Sequence, residues 1–336
     1  MANIRIAVIG AGRIGRMHAE HIAQRIAGAG LAAIADVSES AAEEVATRFG
    51  VPYTTDYHAL LEDRSIDAVA ICSSTDSHAR MINEAAQAGK QIFCEKPIAL
   101  DLPTIDAALA AVARAGVALQ IGFQRRFDPS FRAAREAIAN GSIGTPHMLR
   151  ITSRDPGPPP LDYIRRSGGL FLDMMIHDFD MARFLLGDEV TSVSATGACL
   201  VDPAIGAAGD IDTAVVTLTF AGGAIGAIDN SRRAVYGYDQ RAEVLGDGGA
   251  VAVENRAQHT AVVRDGQAAR GALPPYFFIE RYTEAYVAEL QAFVAALQRG
   301  EAPPVGGGDG RAPVVIALAA QRSLQERRPV EISAIA

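Results

Sequence analysis

The chain has 336 residues, 49% hydrophobic and 21% charged, an ordinary globular composition with length enough for two domains. Its net charge of −8 argues against a nucleic-acid partner, whose phosphates need a basic surface. The three cysteines, Cys72, Cys94 and Cys199, form no CxxC pair, no run is apolar enough for a membrane span, and "MANIRIAVIGAG" does not read as a signal peptide, so a cytoplasmic protein without a disulfide framework is expected.

In the first third, strand-like and helix-like patterns alternate. "IRIAVIG" (4–10) is a short β-branched run and "RIGRMHAEHIAQRIAG" a helix. "LAAIAD" (31–36) is a second strand, and "SESAAEEVATRFG" a second helix with Ser38 as N-cap and Gly50 as stop. "DAVAICSS", a helix over 76–88, "QIFCEKP", a helix over 103–115 and "VALQIGF" continue the alternation, which predicts a parallel sheet covered on both faces. After Phe123 the pattern changes. "TPHMLRITS", "VTSVSATGACL", "TAVVTLTF", "AIGAIDNSR", "AEVLG" and "AVAVEN" read as strands, several separated by glycine turns, and predict a mainly antiparallel sheet. Two helices follow, near 278–298 and 311–326, with the glycine-rich "VGGGDG" between them as a surface loop. The expected fold class is α/β: a doubly wound parallel sheet over 1–122, then an α+β domain over 123–336.

"GAGRIG" (10–15) matches GxGxxG directly after a predicted strand and at the start of a predicted helix. Gly10 permits the tight turn, Gly12 a close approach of pyrophosphate to the backbone, and Gly15 close packing of helix on strand; Arg13 and Ile14 open the helix whose free N–H groups face the phosphates. A tight turn without ligand is the bland alternative, and the strand–turn–helix context weighs against it. Asp36 ends the second strand, where a dinucleotide fold places the acid for the ribose hydroxyls, and it is followed by Val37 rather than arginine, so NAD is favoured over NADP. Two later strand ends should face the same crevice, "SSTDSHA" with Ser73, Ser74, Thr75 and His78, and "EKP" with Glu95 and Lys96. A solvated Lys96 competes evenly with a functional one on spacing alone.

The order and spacing of GAGRIG, EKP, "GFQRRFDP" and "GGLFLDMMIHDFD" resemble the glucose–fructose oxidoreductase / inositol dehydrogenase / MocA family over essentially the whole chain. Within it, "SRDPGPPP", "NSRRAVYGYDQRAEVLG" and "FFIERYTEAY" look most like bacterial inositol 2-dehydrogenases. The resemblance implies a Rossmann domain, a second domain whose open sheet commonly mediates tetramers, and hence a homotetramer. It also implies Lys96, Asp173 and His177 as catalytic residues, with Gln124 and Arg125 bordering nicotinamide and substrate. Some inositol dehydrogenases carry asparagine where Asp155 stands here.

"GGLFLDMMIHDFDMARFLLG" (168–187) reads as one buried helix interrupted on a single stripe by Asp173, His177 and Asp180. A core histidine held by Asp173 is the bland reading; a zinc or manganese site is a second. The third is a general base, with Asp173 fixing the tautomer of His177 and the stripe facing a cleft. A nicotinamide-binding domain in the same chain favours the third, with no metal. Asp180 is placed beside Arg183 as a structural pair. Lys96 would then stabilise alkoxide character on the reacting oxygen. Arg125, Arg154, Asp155, Tyr236 and Tyr282 are the further candidates for binding substrate, with packing an equal alternative for the two tyrosines. The resulting expectation is NAD-dependent oxidation of a secondary ring hydroxyl of a cyclic polyol, myo- or scyllo-inositol, to an inosose. A pyranose dehydrogenase or reductase, an NAD-assisted glycosidase and a non-catalytic NAD-binding sensor are the alternatives; a sensor could dispense with Lys96 or His177.

Overall fold

The computed structural model describes residues 3–335. Strands β1 (Ile4–Ile9), β2 (Ala29–Ala35), β3 (Tyr53–Thr54), β4 (Ala68–Ile71), β5 (Gln91–Glu95) and β6 (Leu119–Gly122) form one sheet in the order β3-β2-β1-β4-β5-β6, with every pairing parallel. The strand order reverses beside β1, which creates the switch point of a doubly wound fold at the C-terminal ends of β1 and β4. Apolar β-branched runs suit these strands because both faces are covered: β4 is buried throughout. Ser38 caps the helix Glu39–Phe49 by accepting from the Ala41 N–H, and Gly50 ends it in the left-handed region at φ 66°.

The second sheet contains β7 (Pro146–Arg154), β8 (Val190–Ala198), β9 (Thr213–Phe220), β10 (Ile225–Ser231), β11 (Asp239–Gly246), β12 (Gly249–Val253) and β15 (Val330–Glu331), while β13 (Val262–Arg264) and β14 (Ala269–Gly271) form a separate hairpin. Its order is β12-β11-β7-β10-β9-β8-β15, antiparallel except where β7 and β10 run parallel at its centre. One face is core and the other open: in β9, Ala214, Val216, Leu218 and Phe220 are buried between exposed Val215, Thr217 and Thr219. Met148, Val215, Ile225 and Leu245 all lie exposed in these strands.

Contacts divide the chain into two compact units. The first runs to Gln124 and takes in Glu284–Val314; the second holds Arg125–Thr283 and the chain from Val315 onward. Within the first, Leu290, Phe293 and Val294 of the helix Phe278–Arg299 join Ile6, Val8, Ile34 and Phe93 in one core.

Two sequence expectations are corrected. The glycine-rich run at 305–310 is not a surface loop; the helix Gly307–Glu326 begins inside it. Contact is the reason: a Cβ on Gly307 would stand 2.3 Å from Leu109 Cδ2, and one on Gly310 2.6 Å from Ile98 Cδ1. The segment 168–187 is not one helix. It forms Gly169–Asp173 and Ile176–Leu186, because the Leu170 carbonyl accepts from the N–H groups of both Met174 and Met175. The Met175 bond spans five residues and inserts one extra position, a π-type bulge.

Candidate active site

The glycine turn at the end of β1 is shaped by close contact. Gly10 has φ 105°, and a Cβ there would lie 2.6 Å from the Cys72 carbonyl carbon; a Cβ on Gly15 would lie 1.7 Å from the Gly10 oxygen. Gly12 is the N-cap of the helix Arg13–Gln24, has no side-chain cap, and a Cβ built on it meets nothing within 4 Å. Its Cα therefore faces open space at a helix N-terminus, with Arg13 exposed and Ile14 half-exposed in the first turn, and the turn fits the pyrophosphate of a dinucleotide. Asp36 follows β2. Its Oδ2 accepts from the Ala11 N–H at 2.6 Å and its Oδ1 from the Ser38 N–H at 2.8 Å, which ties the acid to the glycine turn. Val37 is 94% exposed. An open, acidic strand end of this kind has the chemistry to accept from a ribose diol and would repel a 2′-phosphate. Replacing Asp36 by serine and Val37 by arginine should move the kcat/KM preference toward NADP, by at least tenfold in the ratio; an unchanged ratio would remove Asp36 from cofactor selection.

Beyond β4, Ser73 Oγ lies 2.6 Å from Ser77 Oγ, exposed Ser74 is the N-cap of the helix Thr75–Gln87, and half-buried Thr75 begins it. His78 is buried, with Nδ1 2.8 Å from the Pro97 carbonyl oxygen and Nε2 3.0 Å from that of Ser73. The imidazole thus joins the chain after β4 to the chain after β5. Burial holds its pKa below the ordinary range, against the pull of both carbonyls. Lys96, half-buried, leaves the end of β5 beside Pro97, and Glu95 Oε1 lies 2.7 Å from His18 Nε2. Gln124 is buried. A hollow of about 1100 Å³ in this unit is lined by Ile4, Asp67, Gln91 and Leu119. Those residues mark the N-terminal ends of the strands, the wrong end of an open parallel sheet for a nucleotide.

The second unit gathers a different set. Asp173 and His177 are half-exposed on either side of the bulge, whereas Asp180 is buried. Tyr163 donates its hydroxyl to Asp173 Oδ1 at 2.8 Å, and Arg232 Nη1 donates to Asp173 Oδ2 at 3.2 Å. Arg126 grips Asp180 through Nε and Nη2 at 2.7–3.0 Å, and Arg183 binds Glu189 while the Asp180 charge also acts on it. Asp155 follows β7. Its N–H donates to the Ser231 carbonyl and its carbonyl accepts from Ala234 N–H, so it lies beside the chain that carries Arg232. Burial pushes the Asp155 carboxyl up to about 7; Arg232 opposes this and Asp173 reinforces it.

The remaining sequence candidates are already engaged. Arg154 donates to Asp229 Oδ1 at 2.6 Å through Nη2 and to the Tyr236 hydroxyl at 3.1 Å, and Tyr236 in turn donates to Asp239. Arg125 is 3% exposed, donates to Asp178 Oδ1 at 2.6 Å, and lies over the ring of the fully buried Tyr282. Asn230 Nδ2 completes the arrangement on Asp178 Oδ2 at 2.8 Å. Arg232, Tyr163 and Asp178 are absent from the sequence-based set. An arginine at the end of a strand, one residue past β10, was the available signal for Arg232.

The model of the oxidoreductase family with an NAD-binding Rossmann fold matches residues 4–123, and that of the GFO/IDH/MocA C-terminal domain matches 131–252. The chain belongs to the GFO/IDH/MocA family. It is an NAD-dependent oxidoreductase of that family. Myo-inositol 2-dehydrogenase of Thermotoga maritima is 51% identical over 333 residues, 99% of each chain. Inositol 2-dehydrogenase of Rhizobium meliloti is 49% identical, covering 98% of this chain and 99% of its own. A crystal structure of scyllo-inositol dehydrogenase from Lactobacillus casei, with bound NAD(H) and scyllo-inositol, superposes with a TM-score of 0.93 at 30% identity, covering 98% of this chain and 99% of that one. Among the described residues, no helix is long and apolar enough to cross a membrane.

Proposed function

We propose that this protein oxidises a secondary ring hydroxyl of myo-inositol or a close stereoisomer to an inosose. The observation that carries the reading is the polar cluster of Asp155, Tyr163, Asp173 and Arg232. A cyclic polyol presents hydroxyls that both donate and accept, and such a cluster matches them. The cations nearby are already balanced: Arg232 by Asp173 and Asp210, Arg154 by Asp229. A neutral ring therefore fits better than a sugar acid or phosphate, which would need an uncompensated arginine. The two relatives named above are inositol 2-dehydrogenases, which supports the same substrate class.

Bound NAD supplies the hydride acceptor. The chain supplies the rest. The helix Arg13–Gln24 offers its free N–H groups to the pyrophosphate, and Asp36 accepts from the ribose diol. His177 takes the proton of the reacting hydroxyl. Asp173 holds that region in place through Tyr163 and Arg232. Lys96 donates to the reacting oxygen as negative charge grows on it. Asp155 binds ring hydroxyls, and Arg125 acts indirectly, by fixing Asp178 one residue past His177. We assign the working form to the cytoplasm as a homotetramer built on the open face of the second sheet, where Met148, Val215, Ile225 and Leu245 are exposed; sedimentation at the mass of one chain at micromolar concentration would refute the assembly.

NAD reduction across a panel of inositol stereoisomers and pyranoses tests the substrate. The highest kcat/KM is expected with myo- or scyllo-inositol. Strong turnover of an aldose with every inositol at background overturns the reading in favour of a pyranose dehydrogenase.

Asp155 gives a pH signature. Its folded pKa, about 7, lies above the unfolded value of about 3.9. The folded state therefore holds the proton more tightly, and stability falls as pH rises from about 4 through 7. Asp155→Asn should be more stable than wild type by a margin that widens over that interval and then levels off. The polyol KM of wild type should change across pH 7, and that of the variant should not. Parallel Tm–pH curves for the two proteins would show that Asp155 ionises normally.

A further inference from the structure

A second group of titratable side chains lies inside the first unit. His18, on the helix Arg13–Gln24, is fully buried, as is Glu289 on the helix Phe278–Arg299. Glu95, the last residue of β5, has a carboxylate only 13% exposed. One ligand atom from each of the three lies within 4.8 Å of the others. Neither carboxylate oxygen of Glu289 has a hydrogen-bond partner among the described residues, although its backbone carbonyl accepts from Gln120 Nε2 at 2.8 Å.

An unpaired, ionised carboxylate in such a place costs several kcal/mol, roughly the effective penalty for burying one ion. Two remedies exist, a cation or a proton. The geometry selects the proton. His18 Nε2 and Glu95 Oε1 are 2.7 Å apart, the length of a charge-assisted hydrogen bond. Two ligands of one tetrahedral zinc, with bonds of about 2.0–2.2 Å, stand farther apart, at about 3.3 Å. The surroundings are also those of a proton site rather than an ion site: His18 packs edge-on against Phe93 and Tyr286, with ring centroids 5.1 and 5.7 Å away.

We propose that His18 and Glu289 are positioning residues for Lys96, acting through two hydrogen bonds donated to the Glu95 carboxylate. His18 gives Nε2–H, and a protonated Glu289 gives its hydroxyl through one bridging water. Glu95 then carries the single negative charge of the group. It is anchored at the last residue of β5, and Lys96 is the next residue along the chain. Gly122 on the neighbouring strand leaves the room, since a Cβ there would lie 3.1 Å from the Glu95 carboxylate.

The charges around Glu289 agree. Burial raises its pKa well above the usual range, and Glu95 raises it further. The Cys72 and Cys94 thiols also face this group, and burial with the negative Glu95 keeps both protonated. On the far side of His18, His21 is held neutral, down to about 4, by burial and by His18, with Arg25 and Glu284 beyond it. Glu95 and Lys96 in turn both act on His78.

The inference rests on Lys96 handling the reacting hydroxyl, so its test has two arms. The first is turnover. His18→Leu and Glu289→Leu should each lower kcat about tenfold, a fraction of an ångström in the placement of Lys96 being enough. Both should move the acidic limb of the kcat/KM profile to higher pH, because Glu95 has lost a donor, while the KM for NAD stays within about twofold. Glu289→Gln, which keeps a donor of the same shape, should restore both the rate and the profile. The second arm needs no turnover. A buried acid with a raised pKa loses stability as pH climbs, so Glu289→Gln should gain Tm over wild type by an amount that grows from pH 5 to pH 8. This isosteric variant reads the proton even if the leucine variants fail to fold. A Glu289→Gln enzyme as impaired as Glu289→Leu, a uniform loss of rate without movement of the pH limb, or a pH-independent Tm difference overturns the proposal. So does a stoichiometric divalent metal in the purified protein that Glu289→Gln lacks. Full activity of Lys96→Ala would instead overturn the role given to the lysine, leaving the stability arm unaffected.

Discussion

His177→Ala and Lys96→Ala should each lower kcat by roughly a hundredfold or more, the usual scale for removing an acid–base or oxyanion-stabilising group. NAD should bind both variants with nearly unchanged affinity. The groups assigned to its phosphates and ribose are the helix Arg13–Gln24 and Asp36, and neither substitution touches them. His177→Ala also spares the bulge, which is made by the backbone of Leu170, Met174 and Met175. Steady-state kinetics with fluorescence titration of NADH separates the two effects. Turnover within threefold of wild type in His177→Ala would sink the general-base assignment, and lost NADH binding would show that the histidine serves the cofactor.

The second large effect concerns stability. Arg125 and Asp178 form a buried pair, their side chains 4% and 0% exposed. Removing one partner leaves a charge with nowhere to go, at a cost of about 3–5 kcal/mol. Arg125→Met should therefore lower the Tm of the second unit by roughly 6–20 °C. Burial already holds the Asp178 carboxyl above its ordinary pKa, with Arg125 pulling it down. Once the guanidinium is gone, the folded pKa climbs further from the unfolded value. The penalty is therefore smallest in acid and grows as pH rises toward that folded pKa. Arg125→Met combined with Asp178→Leu should recover much of the loss, since the stranded charge has been removed as well. A Tm for Arg125→Met within 2 °C of wild type at pH 8, worth less than about 1 kcal/mol, would mean that the pair contributes little.

The parts of this molecule legible from sequence are those set by local rules. Strand runs such as 4–9 and 68–71 announce themselves because a parallel sheet buries both faces. Ser38 and Gly50 mark their helix ends through hydrogen bonding and a left-handed backbone. The glycine turn and Asp36 are legible because a fixed spacing serves a fixed ligand geometry. What escapes the sequence is set by contacts between distant residues. Arg232 reaches Asp173 across 59 positions, and Arg125 reaches Asp178 across 53. The glycines at 307 and 310 resemble a loop because the side chains that demand them, Leu109 and Ile98, lie two hundred residues upstream. The return of Glu284–Val314 to the first unit likewise leaves no mark in local periodicity.

The bulge at Met174–Met175 changes what the spacing between Asp173 and His177 means. In a regular helix, four positions bring two side chains back to the same face. Here one of those positions is consumed by the five-residue closure onto Leu170, so the interval counts backbone length rather than turns. Losing a single residue from this stretch would close the bulge into a regular turn and leave the following helix in its present phase, whereas the same loss from a regular helix would swing everything after it by about 100°. Asp178 and Asp180 would go on facing Arg125 and Arg126. A one-residue deletion at Met174 or Met175 should thus be far less damaging than one inside Ile176–Leu186, because the bulge absorbs it without changing the phase of the whole following helix.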